Sequence, residues 1–165
     1  MTTTGNNYLV GWTAGHDAND PGNANLSAVI PAANLSLCPG SPNIQPLSMA
    51  PGSRPIIGTT VQMTTSNIPA GSPVQGLVYS FTQSIPPIDL TAIGMQGCFA
   101  YVDPSFQILS LNLAPGTTMV EPVAIPNQNN LIGITVTMQA VSYSPPRTSF
   151  GWLSSNGLVM FLAAL

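Results

Sequence analysis

Apolar and polar residues alternate along much of this chain. In residues 59–65, Val61 and Met63 fall on one face of an extended strand, while threonine and glutamine occupy the other face. The same period of two recurs in three further segments, residues 77–81, 106–113 and 131–143. Such alternation is typical of β-strands with one buried and one exposed face. We therefore predict a strand in each of these segments.

Two apolar segments carry specific expectations about burial. In residues 106–113, Leu109, Leu111 and Leu113 share one face, which is predicted to be the buried face of its strand. The C-terminal residues 157–165 form the longest apolar run. They are too few to cross a bilayer, which takes about 20 apolar residues, so we predict a buried terminal strand and no membrane span.

Turn-forming residues separate the predicted strands. Proline, glycine, asparagine and serine are concentrated in residues 67–73, 85–89, 113–118, 125–130 and 143–149. No window of the chain repeats apolar residues at the i, i+3, i+4, i+7 spacing of an amphipathic helix. Short alternating strands with turns at this spacing predict an all-β fold, an antiparallel β-sandwich of the jelly-roll or immunoglobulin-like kind.

The first 37 residues differ from the rest of the chain. We assign residues 1–37 to an extended N-terminal arm or added strands, and residues 38–165 to the β-sandwich domain. The arm contains one apolar run, formed by Tyr8, Leu9, Val10 and Trp12. We predict that this run contacts neighbouring subunits by adding a strand to their sheets. The alternative is that the arm pairs within its own sandwich.

Charge is the most unusual feature of the composition. Only 4% of the residues are charged, lysine is absent and the net charge is −3, whereas about 25% of residues are charged in ordinary domains. Two arginines offer almost no counter-charge to a phosphate backbone, which excludes nucleic acid as a partner. Because a soluble monomer normally keeps charge on its surface, we predict that this surface packs against copies of itself or carries glycan.

Cys38 and Cys98 are the only cysteines. A catalytic thiolate needs a neighbouring base, and the single histidine, His16, lies in a loop rich in glycine, asparagine and aspartate. A zinc site needs about four nitrogen or sulfur ligands, more than these residues supply. The remaining interpretations are a disulfide between Cys38 and Cys98, which we predict, and two buried thiols. The bridge would stabilise the fold by roughly 3–4 kcal/mol in the chain-entropy model.

Residues 16–23 form the one clustered polar segment. Asp17, Asn19 and Asp20 offer the oxygen ligands that Ca²⁺ prefers. The ligand spacing of an EF-hand is absent, and Asx residues before Pro-Gly commonly form turns through their own backbone. We therefore predict a turn here, with calcium binding as the alternative, and no other cofactor.

No arrangement of residues in the sequence supports catalysis. The carboxylates Asp89, Asp103 and Glu121 are isolated from one another, whereas a glycosidase needs two carboxylates about 5–10 Å apart. Motifs for a nucleophile elbow, a phosphate-binding loop and a zinc protease are also absent. We predict that the protein is not an enzyme.

The sequence also offers sites for carbohydrate. Asn25 and Asn34 each begin an N-x-Ser triplet, which permits N-glycosylation of the arm. Six aromatic residues are candidates for a platform that binds sugar, although aromatic residues spread through strands are usually part of the core. They are Trp12, Trp152, Tyr8, Tyr79, Tyr101 and Tyr143. Surface glycan is therefore a second expected partner, after copies of the chain itself.

Five motifs relate the chain to a known domain. They are CPGSPN at residues 38–43, PIIGTTVQMTTSNIPAGSP at 55–73, IDLTAIGMQGC at 88–98, IPN at 125–127 and SNGL at 155–158. Across these motifs, which span about three-quarters of the chain, the sequence resembles an uncharacterised domain that recurs in secreted and surface proteins of planctomycete-type bacteria. The resemblance implies an extracellular β-sandwich with its two cysteines bridged, and it implies no activity.

Together these observations predict a structural role. We expect a non-enzymatic subunit that self-assembles at or outside the cell surface into a filament, sheath or surface layer. One alternative is a carbohydrate-binding or adhesion module. Another is a virion coat or decoration protein, which agrees with the lack of a recognisable secretory leader but sits poorly with a disulfide, since such bonds are rare in cytosolic proteins.

Overall fold

The computed structural model describes residues 28–30 and 46–164, apart from residue 146. This part of the chain is all-β, with ten strands, two short 3₁₀-helices and no α-helix. The strands are β1 (Ala28–Ile30), β2 (Ser48–Pro51), β3 (Thr60–Ser66), β4 (Val74–Ser80), β5 (Gln83–Asp89), β6 (Phe99–Val102), β7 (Gln107–Leu113), β8 (Thr118–Ala124), β9 (Thr135–Tyr143) and β10 (Trp152–Phe161). The predicted fold class is confirmed.

The strands form three antiparallel sheets. The large sheet has the order β1-β10-β9-β4-β7, and the small sheet has the order β2-β3-β8. A third sheet consists of β5 and β6 alone. Strands β7 and β8 are consecutive in the chain but belong to different sheets. Strand β7 is an edge strand of the large sheet, and β8 is an edge strand of the small sheet.

The main core lies between the large and the small sheet. Met49, Val61 and Met63 of the small sheet pack there against residues of the large sheet. The large sheet contributes Leu77, Met138, Ala140, Leu158 and Met160. The alternation predicted for residues 59–65 is confirmed, because Val61 and Met63 are both fully buried. The C-terminal apolar run is likewise confirmed as the buried strand β10.

The β5–β6 sheet forms a third layer on the outer face of the large sheet. One attachment point is Gln139 of β9, whose Nε2 donates to the carbonyl of Phe99 and whose Oε1 accepts from the N–H of Tyr101. The ring of Tyr101 lies directly over Gly157 of β10, where an added Cβ would come within 2.6 Å of the Tyr101 Cβ. Only glycine therefore allows β6 to approach this closely.

Part of the N-terminal arm is seen in the large sheet. Strand β1, within the predicted arm of residues 1–37, pairs antiparallel with β10 through Ala28–Val159, Val29–Leu158 and Ile30–Gly157. The described piece of the arm is thus an added strand within its own sandwich. The rest of residues 1–37 lies outside the described part of the chain.

The leucine-rich face of residues 106–113 departs from expectation. Leu109, Leu111 and Leu113 were expected to be buried, but all three are exposed. The side of β7 that faces the core instead carries polar residues, including Ser110 and Asn112, which lie opposite Leu77 and Gln75. The pattern identified a strand correctly, but it did not identify which of its faces meets the other sheet.

Candidate functional site

An apolar groove lies between the large sheet and the β5–β6 layer. We call it the outer groove, and it has a volume of about 330 Å³, within the range of ligand-binding pockets. Its sheet side is formed by Gly76, Val78, Ile108, Leu111, Gln139, Val141, Trp152 and Ser154. Its opposite side is formed by Leu90, Ile93, Met95, Ala100, Val102 and Phe106, together with Phe150.

The mouth of the outer groove is lined by exposed apolar side chains. On the side opposite the large sheet, Ile93, Phe106 and Phe150 are each about half exposed. Ile108 and Leu111 of β7 are 58% and 57% exposed on the sheet side. Large contiguous apolar surfaces of this kind mark interaction sites in soluble proteins.

A glycine in β4 shapes the floor of the groove. An added Cβ on Gly76 would lie 3.1 Å from Leu111 Cδ2 and 3.2 Å from Val141 Cγ2. Both contacts are tighter than ordinary van der Waals packing. Because Gly76 has no side chain, Leu111 can lie over the sheet. The Leu111 side chain there extends the apolar floor of the groove to the edge strand β7.

The polar groups of the groove are already engaged. Gln139 donates to the carbonyls of Phe99 and Ser155, at 2.8 and 2.7 Å, and it accepts from the Tyr101 N–H. Ser154 Oγ donates to the Phe99 carbonyl at 3.0 Å. None of the described residues that line the groove is charged. The groove is therefore suited to an apolar occupant rather than to one that needs several hydrogen bonds.

Strand β7 offers an open backbone edge next to this groove. Along an antiparallel pair of strands, the backbone N–H and C=O groups of successive residues alternate between bonding to the partner strand and pointing away from it. Ala114 N–H donates to the Pro73 carbonyl, so the β4–β7 register places Asn112 among the bonded residues and turns the N–H and C=O of Leu111 and Leu113 away from β4. In the described part of the chain, β7 has no neighbour on that side.

Strand β8 forms the corresponding edge of the small sheet. Gly52 N–H donates to the Gln62 carbonyl, so Gln62 bonds to β2 and its partner across β8, Pro122, points its backbone outward. Proline has no N–H, and such a residue protects an edge from pairing. Glu121 adds a charge next to it and accepts a hydrogen bond from Asn112 Nδ2, which links the two edges.

Most of the site residues predicted from sequence lie outside the described residues. These are Tyr8, Leu9, Val10 and Trp12 of the arm, Asp17, Asn19 and Asp20 of the calcium alternative, the sequon residues Asn25 and Asn34, and Cys38. Cys98 is described, and its side chain is buried with Met95 and Leu153 beneath the outer groove. The Cys38–Cys98 bridge stays a prediction.

The carboxylates in the described region are dispersed, and no group of three or more His, Cys, Asp or Glu side chains in that region is placed to hold a metal. Asp89 Oδ1 accepts the Thr91 N–H, and Asp103 Oδ1 accepts the Ser105 N–H. Hydrogen bonds from Thr91 lower the pKa of Asp89, and those from Ser105 lower the pKa of Asp103. Both carboxylates thus stabilise turns that flank strands of the β5–β6 layer.

Comparison with known proteins gives no relative from which a role can be transferred. No family model, curated protein or solved structure matches the chain. Among the described residues, no helix is long and apolar enough to cross a membrane. The resemblance to a planctomycete-type surface domain stays a prediction.

Sequence reasoning did not find the outer groove. Its lining residues come from β4, β6, β7, β9, β10 and three loops, and no local pattern joins them. One signal was present: residues 106–113 carry apolar side chains at Phe106, Ile108, Leu109, Leu111 and Leu113. Apolar residues on both sides of a strand indicate that both faces, or the edge, meet something apolar.

Proposed function

We propose that this protein is a non-enzymatic structural subunit that self-assembles, and that β7 with the outer groove is its main contact surface. The observation that supports this most strongly is the edge of β7, which no other described strand pairs with and which carries none of the usual protecting residues. It combines outward backbone groups at Leu111 and Leu113 with exposed apolar side chains at the same positions.

Natural sheets protect such edges with lysine, proline or inward-pointing charge. Strand β7 contains none of these, and the whole chain contains no lysine. It does contain a β-bulge, between its pairings with Leu77 and Val78, but Leu111 and Leu113 lie on the regular side of the bulge. An unprotected edge in a stable protein agrees with an edge that is covered in the assembled state.

The side chains along this edge favour a permanent contact. Leu113 is 80% exposed, and full burial of a leucine contributes roughly 1.5–3 kcal/mol. Because β7 carries no charged residue and no described residue that lines the groove is charged, assembly there would desolvate few ions. Burial of unpaired ions is costly in an interface, so a charge-poor surface suits a filament, sheath or layer. We place this assembly outside or on the cell, where the predicted Cys38–Cys98 bridge would persist.

Carbohydrate binding is less well supported at this surface. Trp152 lines the groove but is half-buried and packs against Tyr143 with a centroid distance of 5.2 Å. The polar groups beside it, on Gln139 and Ser154, are already hydrogen-bonded within the protein. A sugar would find few partners for its hydroxyl groups there. A virion coat or decoration protein would use the same kind of contact, and only the form of the assembly separates it from a surface layer.

Sedimentation velocity over a wide range of protein concentrations, followed by electron microscopy, tests the proposal. We expect wild-type protein to form large species that fall apart on dilution, with a regular repeat in micrographs. Leu113→Arg is expected to shift this equilibrium toward the monomer, while Val120→Arg on β8, where Val120 is 54% exposed, is the matched control. A wild-type protein that stays monomeric at every concentration would contradict the proposal.

A further inference from the structure

The two edges of the large sheet suggest how one copy contacts the next. At one edge lies β1, which belongs to the N-terminal arm, and at the other lies β7. Four strand spacings separate them, or about 19 Å at the usual 4.8 Å between neighbours. A copy that approaches the open β7 edge with its β1 edge brings its Ala28, to which residues 1–27 are joined, to that side of the neighbour. The sheet order is therefore compatible with head-to-tail association.

We propose that the outer groove and the β7 edge bind residues 8–12 of a neighbouring copy. This inference rests on the proposed self-assembly and names its donor segment. Residues 8–12 have the sequence YLVGW, in which Tyr8, Val10 and Trp12 share one face of an extended strand. Paired with the outward groups of Leu111 and Leu113, that face would continue the apolar face of β7 into the mouth of the groove.

The size and chemistry of the groove suit this segment. A cavity of about 150 Å³ holds one benzene ring, so a groove of about 330 Å³ has room for an indole ring together with an aliphatic side chain. The segment YLVGW carries no charge, and no described residue that lines the groove is charged. Neither partner would have to desolvate an ion on binding.

The length of the chain allows this contact between copies. Residues 13–27 join the segment to β1, and 15 extended residues reach at most about 50 Å. That reach exceeds the width of the large sheet, so it is sufficient for a neighbour that lies directly beside the β1 edge. It would also cover the 19 Å to the protein's own β7 edge. A test therefore has to distinguish binding to a neighbouring copy from binding within the same copy. Binding to a neighbouring copy has the advantage that the connecting residues need not cross the outer face of their own sheet.

Complementation between two defective variants provides that test. Val10→Arg spoils the donor segment and leaves the groove intact, and Leu111→Arg spoils the groove and leaves the donor intact. Each variant alone is expected to assemble about 100-fold less tightly than wild type, because an arginine would be buried without a partner. Mixed in equal amounts, they are expected to form a one-to-one dimer and nothing longer, since only one intact donor and one intact groove meet.

Both substitutions introduce the same charge, so the two defective surfaces cannot rescue each other. Thr3→Arg and Val120→Arg are the matched controls, and both are expected to assemble as wild type does. Sedimentation velocity measures the species, and thermal unfolding confirms that each variant is folded.

Each other result overturns the inference in a recognisable way. If Val10→Arg assembles like wild type, the groove takes a different occupant, either the β7 edge of a second copy or an apolar small molecule. If both single variants unfold at lower temperature as monomers and their mixture stays monomeric, residues 8–12 bind their own groove. If wild type itself never assembles, the proposed function fails together with this inference. The first result, in which Val10→Arg still assembles, leaves self-assembly standing and overturns only the inference.

Discussion

Strands β7 and β8 are neighbours in the chain but have opposite edge chemistry. Both are seven residues long, both lie at the edge of a sheet and both carry only exposed and partly buried side chains. Strand β7 presents Leu111 and Leu113 with their N–H groups turned outward, whereas one of the two central outward positions of β8 is Pro122, with Glu121 beside it. A protein under pressure only to avoid aggregation would protect both edges. The protection of one alone supports the proposal that the other takes part in assembly.

Proline at Leu111, one of the outward positions of β7, would give this edge the same protection that Pro122 gives to β8. Leu111→Pro deletes an N–H that bonds to nothing in the described part of the chain, so the monomer is expected to fold with little loss of stability. Assembly is expected to weaken by tenfold or more, because both a backbone hydrogen bond and a buried leucine are lost. Sedimentation velocity measures the shift.

Val120→Pro is the matched control for that substitution. Val120 also points its backbone outward and is similarly exposed, but it lies on β8. Wild-type assembly is expected for this variant. Equal loss in the two variants would mean that the edges do not differ in use.

The reverse change removes the protection of β8. Pro122→Val restores an outward N–H and introduces a residue that favours strands. In the assembly-deficient Leu111→Arg background, we expect a few-fold increase in weak association, measured by sedimentation equilibrium. Pro126→Val changes an exposed proline outside the strand and is expected to have no effect. No increase with Pro122→Val would show that proline does not account for the difference.

The hydrogen bond between Asn112 and Glu121 holds the two edges together. Glu121→Ala removes the acceptor and is expected to lower the free energy of unfolding by about 1 kcal/mol. Glu121→Gln keeps an acceptor oxygen and is expected to cost less. Chemical denaturation of dilute, monomeric protein provides the measurement. If alanine and glutamine have the same effect, the side-chain hydrogen bond does not contribute.

Acid is expected to lower slightly the stability of the β5–β6 layer beside the outer groove. Hydrogen bonds lower the folded-state pKa of Asp89 and Asp103 below the ordinary value of 3.8. A group with a lowered folded-state pKa stabilises the fold above its unfolded pKa, and this contribution is lost as pH falls through the folded value. Thermal unfolding between about pH 6 and about pH 3 should therefore show a small loss of stability at the acid end. Asp103→Asn should reduce that loss, and an unchanged profile would contradict the assignment.

The alternation of apolar residues was enough to predict strands. It also predicted which face of a strand is buried, but only where two sheets face each other. In β3, Val61 and Met63 alternate with polar residues and are buried as expected. In β7 the same period marks a strand, but the leucines lie on the face away from the main core. Periodicity states which residues share a face, not what lies opposite that face. The layer opposite β7 comes from β5 and β6 and depends on contacts distant in sequence, such as Gln139 with Phe99.

The sequence offered only general expectations about a binding site. The scarcity of charge led us to expect a surface covered by another molecule, and the apolar run at Tyr8–Trp12 led us to expect a contact segment. Both stay predictions. The receiving surface was not predictable, because it depends on the strand order of the large sheet and on Gly76 leaving space for Leu111.

Residue-resolved amide hydrogen exchange, compared between dilute and concentrated protein, tests the central claim most directly. It reports on the outward N–H groups of the two edges without any substitution. We predict that the amides of Leu111 and Leu113 become protected as assemblies form, while those of Val120 and Ala124 keep their exchange rates. Assemblies that protect the β8 amides, or that leave the β7 amides unchanged, would contradict the account.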